Sequence, residues 1–343
     1  MAFYFCLPEV FEMLKEKILD VLEENEGTLV TGGCLARRFG VSRAAVWKVM
    51  KNLKEDGYRI ESIKNSGYKL LEYGDMLSER KIRRDLTAHI LGNKIELLKM
   101  VDSTNACLKR ADLDALQEGY VLIADGQSEG RGRRNKPFFS LKGEGVYMSV
   151  LLKPDMDLND VHFITICAAL AVCEAVESVC GISAGIKWVN DIYCSGKKLC
   201  GILSEGAVSM EMQTMNYIVV GVGINTGKLS AELQDTATSL FRLTGRNNIR
   251  NVLVAKFLNG MERLYLDLTR RNRKKELLEE YRNRQFILGK KLEINSSGDV
   301  FMAWAKSIDE EGCLVVEDDR GRIRHLRSEE VSVYPSVQDF DRF

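Results

Sequence analysis

The spacing of hydrophobic positions changes along the chain, and the changes divide it. Between Val10 and Glu24 the apolar residues Val10, Leu14, Ile18, Val21 and Leu22 recur at helical spacing with acidic residues between them, which predicts an amphipathic helix. A second short helix is predicted over 31–39, opened by Thr31 as N-cap and ended at Gly40, where a left-handed turn costs glycine least. A third begins at the capping residue Ser42 and runs to Leu53, with Val46, Val49 and Leu53 on one face. Strand-like runs over 58–63 and 68–71 flank the turn Asn65-Ser66-Gly67. Helix, glycine turn, helix and a two-stranded wing form the layout of a winged helix-turn-helix.

Beyond this module a helix is predicted over 78–86 and a strand over 94–100, after which strands and helices alternate to about 270. That pattern predicts an α/β or α+β domain large enough to bury its own core. A helix over 274–284 leads into short β runs at 291–294, 300–307, 313–317, 322–326 and 331–334, separated by glycine-containing turns. Five strands of this length predict a small β domain. Met13 directly precedes the first strong helical pattern, so 1–12 is expected to be an unpacked extension or to come from an upstream start codon. The expected division is an extension over 1–12, a winged helix-turn-helix over 13–75, a central domain over 76–284 and a β domain over 285–343. The fold class is α+β multidomain.

With 343 residues, 45% of them hydrophobic and only 4 prolines, the chain has the composition of a folded protein. Lys+Arg and Asp+Glu each number 49, so no global charge draws it to nucleic acid, membrane or acidic substrates, and an anionic partner must be met locally. Such a patch lies between Thr31 and Leu70, where nine cations face three carboxylates. The outward face of the third helix is basic and nearly free of acid, as a helix in the major groove requires. Candidate DNA contacts are Ser42, Arg43, Ala44, Trp47, Lys48 and Lys51, with Lys64 at the wing tip. Trp47 suits a thymine methyl or sugar, or equally a domain interface. One module of this size makes few phosphate contacts, so a homodimer on two operator half-sites is expected. The nine cysteines include no C-x-x-C pair and are odd in number, which argues against a zinc site and a disulfide framework and for reduced thiols in a cytoplasm. The N-terminus lacks a signal peptide's basic start, and no run is expected to reach the ~18 apolar residues of a membrane span.

The chemistry concentrates in the middle of the chain. In Gly130-Arg131-Gly132-Arg133-Arg134-Asn135-Lys136 four cations interleave with glycines, which predicts a mobile, anion-binding loop. It lacks the spacing of a Walker loop, and Gly221-Val222-Gly223 lacks the third glycine of a dinucleotide fingerprint. Upstream stands Asp102-Ser103-Thr104-Asn105. Downstream follow Lys187-Trp188-Val189-Asn190-Asp191, then Lys197-Lys198-Leu199-Cys200-Gly201, then Gly221-Val222-Gly223-Ile224-Asn225. These motifs, in this order, resemble the biotin protein ligase family, and with the N-terminal module the chain resembles its bifunctional ligase and biotin operon repressor branch. The resemblance covers nearly the whole sequence.

The resemblance implies a central domain of the class II aminoacyl-tRNA synthetase-like biotin ligase type and an SH3-like C-terminal barrel. It implies that Ser103, Thr104, Asn105 and Gln127 bind the biotin ring and ureido group, and that Arg131, Gly132 and Arg133 fold over biotin and its adenylate. Lys198 would meet the biotin carboxylate and the α-phosphate, with Arg131 and Arg133 as its catalytic partners. Lys187, Asn190 and Asn225 would lie near ATP, and Asp191 near Mg²⁺. The substrates would be biotin and ATP, the acceptor a lysine of a biotin carboxyl carrier protein or domain, and biotinyl-5′-AMP the corepressor. Two departures stand out: Asn135, Lys136 and Phe138 where the family carries glycine, arginine and tryptophan, and Val189 where it carries proline. Joining two anions requires cations around the developing charge, and a mixed anhydride requires a loop that excludes water. Arg131, Arg133 and Lys198 suit the first task and the glycine-rich loop the second. Two other readings compete: a ligase with a merely structural winged helix, and a lipoate or octanoate ligase-like acyltransferase, against which the arginine loop argues because a long acyl chain needs an apolar tunnel. His89, His162 and His325 lie outside the motifs and are read as structural or surface residues.

Overall fold

The computed structural model describes residues 8–55, 58–64, 66–71, 75–209, 214–296, 299–327 and 331–335. The chain forms two compact units, Met1–Met76 and Leu77–Phe343.

The first unit holds helices α1 (Pro8–Glu24), α2 (Gly32–Phe39) and α3 (Arg43–Glu55) and strands β1 (Leu29–Val30), β2 (Ile60–Ile63) and β3 (Gly67–Leu70). Helix α1 starts at Pro8, where a missing N–H costs nothing, and Phe11 packs on the module's core. The unpacked extension expected over 1–12 is thus corrected from Pro8 onward, while 1–7 lie outside the described residues. The Thr31 hydroxyl accepts from Cys34 N at 3.1 Å, Ser42 Oγ accepts from Ala45 N at 3.1 Å, and Gly40 closes α2 at φ 65°. Ile18, Leu22, Leu35, Val46, Val49 and Leu53 are fully buried together, each worth roughly 1.5–3 kcal/mol relative to exposure. The wing has a third strand: β1 pairs antiparallel with β3, giving the order β1-β3-β2.

The second unit opens with α4 (Glu79–Asp85), β4 (Ile95–Leu98), α5 (Thr104–Arg110), β5 (Val121–Ala124) and β6 (Gly145–Leu152). Then follow α6 (Phe163–Cys180), β7 (Gly185–Lys187), β8 (Asp191–Cys194), β9 (Lys197–Ser209), β10 (Thr214–Asn225), α7 (Leu240–Thr244), α8 (Arg250–Thr269) and α9 (Lys274–Asn283). One seven-stranded sheet, ordered β4-β5-β6-β10-β9-β8-β7, is antiparallel except for the β4–β5 pair. The alternation of strands and helices had left strand direction open; hairpins, not crossovers, dominate, and the domain is α+β. Helix α6 corrects a further expectation. With only Glu174 and Glu177 charged, it is long and apolar enough to pass for a membrane span, yet most of its side chains are buried in the core. It reads as apolar on all sides because it is a central core helix, packed on α8, α9 and the sheet.

The last strands, β11 (Lys291–Ser296), β12 (Asp299–Ile308), β13 (Leu314–Asp318), β14 (Ile323–Leu326) and β15 (Val331–Pro335), make an antiparallel sheet ordered β14-β13-β12-β11-β15. Its apolar face, including Leu292, Ile294, Ala303 and Leu314, joins the core of the second unit. The turn between β12 and β13 is fixed to that unit by the Trp188 indole, which donates to Gly312 O at 3.0 Å.

Candidate functional site

A cavity of about 510 Å³ is walled by β9 and β10, the start of α5, the β7–β8 hairpin and the loop after β5. Ser103, Thr104, Asn105, Gln127, Arg131, Gly132, Arg133, Lys187, Asn190, Asp191 and Lys198 all line it. Of the residues expected around the ligand, Asn225 stands apart: buried at the end of β10, it donates to Thr238 O at 3.2 Å and does not line the cavity.

Gln127, Asn105 and Asn190 spend their side-chain polar atoms on the protein, Asn190 by donating to Ile202 O and accepting from Arg133. Gln127 Oε1 accepts from Thr104 N at 2.8 Å and from its hydroxyl at 3.2 Å, which satisfies a first-turn amide of α5, while Nε2 donates to Ser140 Oγ at 2.7 Å. Ser103, at the cap position itself, makes no side-chain cap bond. Asn105 donates to Leu203 O at 3.1 Å and Glu205 Oε2 at 2.8 Å and accepts from Ser149 Oγ at 2.6 Å. It can sit so close to β10 because position 221 is glycine: a methyl group there would fall 2.3 Å from Asn105 Oδ1.

The arginine loop is a hairpin. Phe138 N donates to Gly130 O and Gly132 N to Lys136 O, both at 2.8 Å, and Arg134 turns the chain at φ 56°. Arg131 stays on the exposed side, 3.5 Å from Glu129, while Arg133 reaches inward to Asn190 Oδ1 at 3.3 Å. The hairpin lays Phe138 across β9 and β10, where a methyl on Gly223 would meet its ring at 2.4 Å and one on Gly201 at 3.2 Å. Those glycines, with Trp188 and Tyr193, line the cavity but received no role from the sequence. The alternation of glycine with apolar residues along β9 and β10 was the available signal, since glycine within a strand marks close approach.

Charge in the cavity is one-sided. Arg131, Arg133, Arg134, Lys136, Lys187 and Lys198 line it against one carboxylate, Asp191, whose Oδ1 is 2.7 Å from Lys198 Nζ. Burial lowers the Lys187 ammonium to about 8; Asp191 opposes the shift, and Lys198 and Lys136 add to it. Asp191 faces Lys187 across the β7–β8 hairpin. Among the described residues no three His, Cys, Asp or Glu side chains converge to hold a metal ion. Such a site suits a polyanion.

In the N-terminal unit, Ser42, Arg43, Ala44, Trp47, Lys48 and Lys51 on α3 and Lys64 after β2 are all exposed, Trp47 to 59%. Lys51 lies 3.8 Å from Glu55. Lys48 Nζ lies 5.2 Å from the centre of the Phe11 ring, and Lys54 donates to Ser62 Oγ at 2.9 Å, tying α3 to the wing. The histidines are distributed as expected: His89 is exposed, His325 is paired with Asp309 at 2.7 Å, and His162 is set against Phe163 at the start of α6, where burial lowers its pKa.

Comparison with known proteins finds relatives along most of the chain. The profile of the biotin/lipoate A/B protein ligase family matches residues 97–225, and an HTH domain profile matches residues 15–69. The bifunctional ligase/repressor BirA of Bacillus spizizenii is 30% identical over 326 residues, 93% of this chain and 98% of that protein. BirA of Escherichia coli is 25% identical over 90% of this chain and 94% of its own length. Among solved structures, the biotin protein ligase from Aquifex aeolicus in complex with biotin and ATP superposes with a TM-score of 0.62 at 28% identity, covering 71% of this chain and 100% of that one.

Proposed function

The chain belongs to the bifunctional ligase/repressor branch of the biotin/lipoate A/B protein ligase family, and from that premise we propose its reaction and the residues that perform it. The protein joins biotin to ATP as biotinyl-5′-AMP, releases pyrophosphate, and transfers the biotinyl group to a lysine of a biotin carboxyl carrier domain. The N-terminal unit reads operator DNA as a dimer when the adenylate is bound, so acceptor and operator compete for one signal. The observation that carries this reading is the gathering of six cations and one carboxylate around a single cavity, next to the polar start of α5.

Attack of the biotin carboxylate on the α-phosphorus brings two anions together and moves charge onto the phosphate oxygens and the departing pyrophosphate. Lys198, adjacent to Asp191, meets the carboxylate and α-phosphate, and Arg133, bonded to Asn190, closes from the hairpin. Arg131, at the mouth, completes the cation set. Lys187 and Asn190 face the nucleotide. Ser103 and Thr104 contact the biotin head directly, whereas Asn105 and Gln127 shape its pocket through their bonds to the frame. A protein-only Mg²⁺ cage does not fit one carboxylate, but Mg²⁺ commonly takes one carboxylate plus substrate phosphates, and Asp191 suits that role. When bound, the ion neutralises phosphate charge. Phe138 and the hairpin keep water from the anhydride until the acceptor amine arrives.

Biotin-dependent pyrophosphate release from ATP, followed by labelling of a carrier domain, tests the ligase; no biotin dependence overturns it. A mobility shift on the host's biotin-gene promoter with and without biotin plus ATP tests repression. Without a ligand-enhanced shift, the winged helix is a structural module.

A further inference from the structure

Arg250 is the first residue of α8, and its side chain is only 2% exposed although a guanidinium is seldom buried. Its Nη1 donates to Asp125 Oδ1 at 2.8 Å and to Gly145 O at 3.2 Å. Those two residues are the stems of the loop that carries the cavity's chemistry: Asp125 directly follows β5, Gly145 begins β6, and between them run Gln127 and the whole arginine hairpin. Both stems are tied elsewhere as well. Asp125 N donates to Leu98 O and Gly143 N to Asp125 O, each at 2.9 Å, and the Tyr147 hydroxyl donates to Leu141 O at 3.0 Å. Farther out, Gln127 N meets Ser140 O at 3.1 Å. These outer ties are neutral hydrogen bonds, whereas the tie at the root is charge-assisted and made by a buried guanidinium, hence stronger.

We propose that Arg250 is a positioning residue that clamps both stems of the 126–144 loop, so that the hairpin stays seated over the cavity and the reaction intermediate is held. It is not among the residues that line the cavity; it acts through Asp125 and Gly145 on Gln127 and the arginines. The clamp itself follows from geometry, and its role in retention rests on the ligase reading above.

Arg250→Met removes the charge, keeps the aliphatic stem, and leaves Asp125, which is 25% exposed, with access to water. Amide hydrogen exchange across 126–144 of the full chain is expected to quicken about tenfold while α6 is unchanged. Release of biotinyl-5′-AMP per titrated active site is expected to rise about tenfold, with the first-turnover rate of pyrophosphate release within about threefold of wild type. Arg263→Met, which breaks the α8 pair with Glu174 and leaves both stems untouched, is the control and changes neither readout. A variant that merely lost stability would have fewer active sites, not leakier ones. Exchange and release both within twofold of wild type overturn the clamp. Should Arg250→Met not fold, Asp125→Asn carries the test: a smaller rise in both rates supports the clamp, and unchanged rates overturn it. Failure of the wild-type protein to form any adenylate defeats the ligase reading, and the exchange measurement still decides the clamp.

Discussion

Two basic surfaces in this protein are suited to anions in opposite ways. On α3 and the wing, Arg43, Lys48, Lys51 and Lys64 are exposed. In the cavity, Lys187, Lys198 and Arg133 are half-buried and set by neighbours: Asp191 for Lys198, Asn190 for Arg133. A charge in water is screened within about 8 Å at physiological salt, so the first surface gives attraction summed over many phosphates, tuned by ionic strength. An enclosed cation acts in a lower dielectric on one atom, and its placement decides the rate. Counting cations does not separate the two; burial does.

The sharpest way to break the comparison is one substitution in the cavity. Lys198→Ala removes a cation whose neighbours already hold its position, and adenylation, followed as biotin-dependent pyrophosphate release, is expected to fall by about 10³ or more. A loss below tenfold would mean that the enclosed cations act as a diffuse field, as the exposed ones do. Salt probes the other surface. Between 50 and 200 mM salt, operator affinity is expected to fall by at least ~10²-fold, and Lys48→Ala or Lys51→Ala to lower the salt slope by about one each. The KM for biotin is expected to move less than threefold over the same range.

The pH response of Lys187 sharpens the contrast further. Its ammonium is depressed to about 8 by burial, so folding disfavours the proton; that cost is fully present below pH 8 and relieved as pH rises from there toward the ordinary lysine value of about 10.4. Ligand binding runs the other way. A phosphate beside Lys187 favours the charged form and raises its pKa, so ATP binding is tightest below pH 8 and weakens by up to tenfold per unit above it. The KM for ATP between pH 7 and 9.5 measures this, and Lys187→Met is expected to flatten the profile. A flat wild-type profile would place the phosphates elsewhere.

What the sequence made legible were features written locally. The Thr31 and Ser42 caps, the Gly40 turn and the helical apolar spacing of the first unit each depend on residues within one or two turns, and each stands where it was read. The cavity's lining was legible through the order of four motifs and their resemblance to a family, not through the basic loop alone, which suits a solvated turn equally well. Long-range facts were not. Strand β1 is two residues long and exists only because Leu29 and Val30 meet Lys69 and Tyr68. The commitment of Asn105 to Leu203, Glu205 and Ser149 depends on two strands, β9 and β6, folding beside it. Arg250 looks like any surface cation opening a helix until its partner 125 residues away is known. Helix α6 is more apolar than the sequence reading allowed, and only its burial among α8, α9 and the sheet marks it as a core helix and not a membrane span.

The smallest effect concerns whether the two surfaces can be altered separately. Thr31 accepts from Cys34 N at the start of α2 and has no part in the cavity. Thr31→Ala is expected to cost about 1 kcal/mol, which for a module of this size lowers its melting midpoint by about 4–8 °C. Because α2 and α3 share one core through Leu35 and Val46, loss of that margin loosens the whole helix-turn-helix. Operator binding should then fail at a lower temperature, read by a temperature series of mobility shifts. Ligation kinetics at 25 °C should not change, because the cavity's cations are held by Asp191, Asn190 and the sheet, none of which belongs to the N-terminal unit. If Thr31→Ala slows adenylation, then the exposed and the enclosed surfaces are energetically one system, and the cavity's geometry depends on more than its own walls.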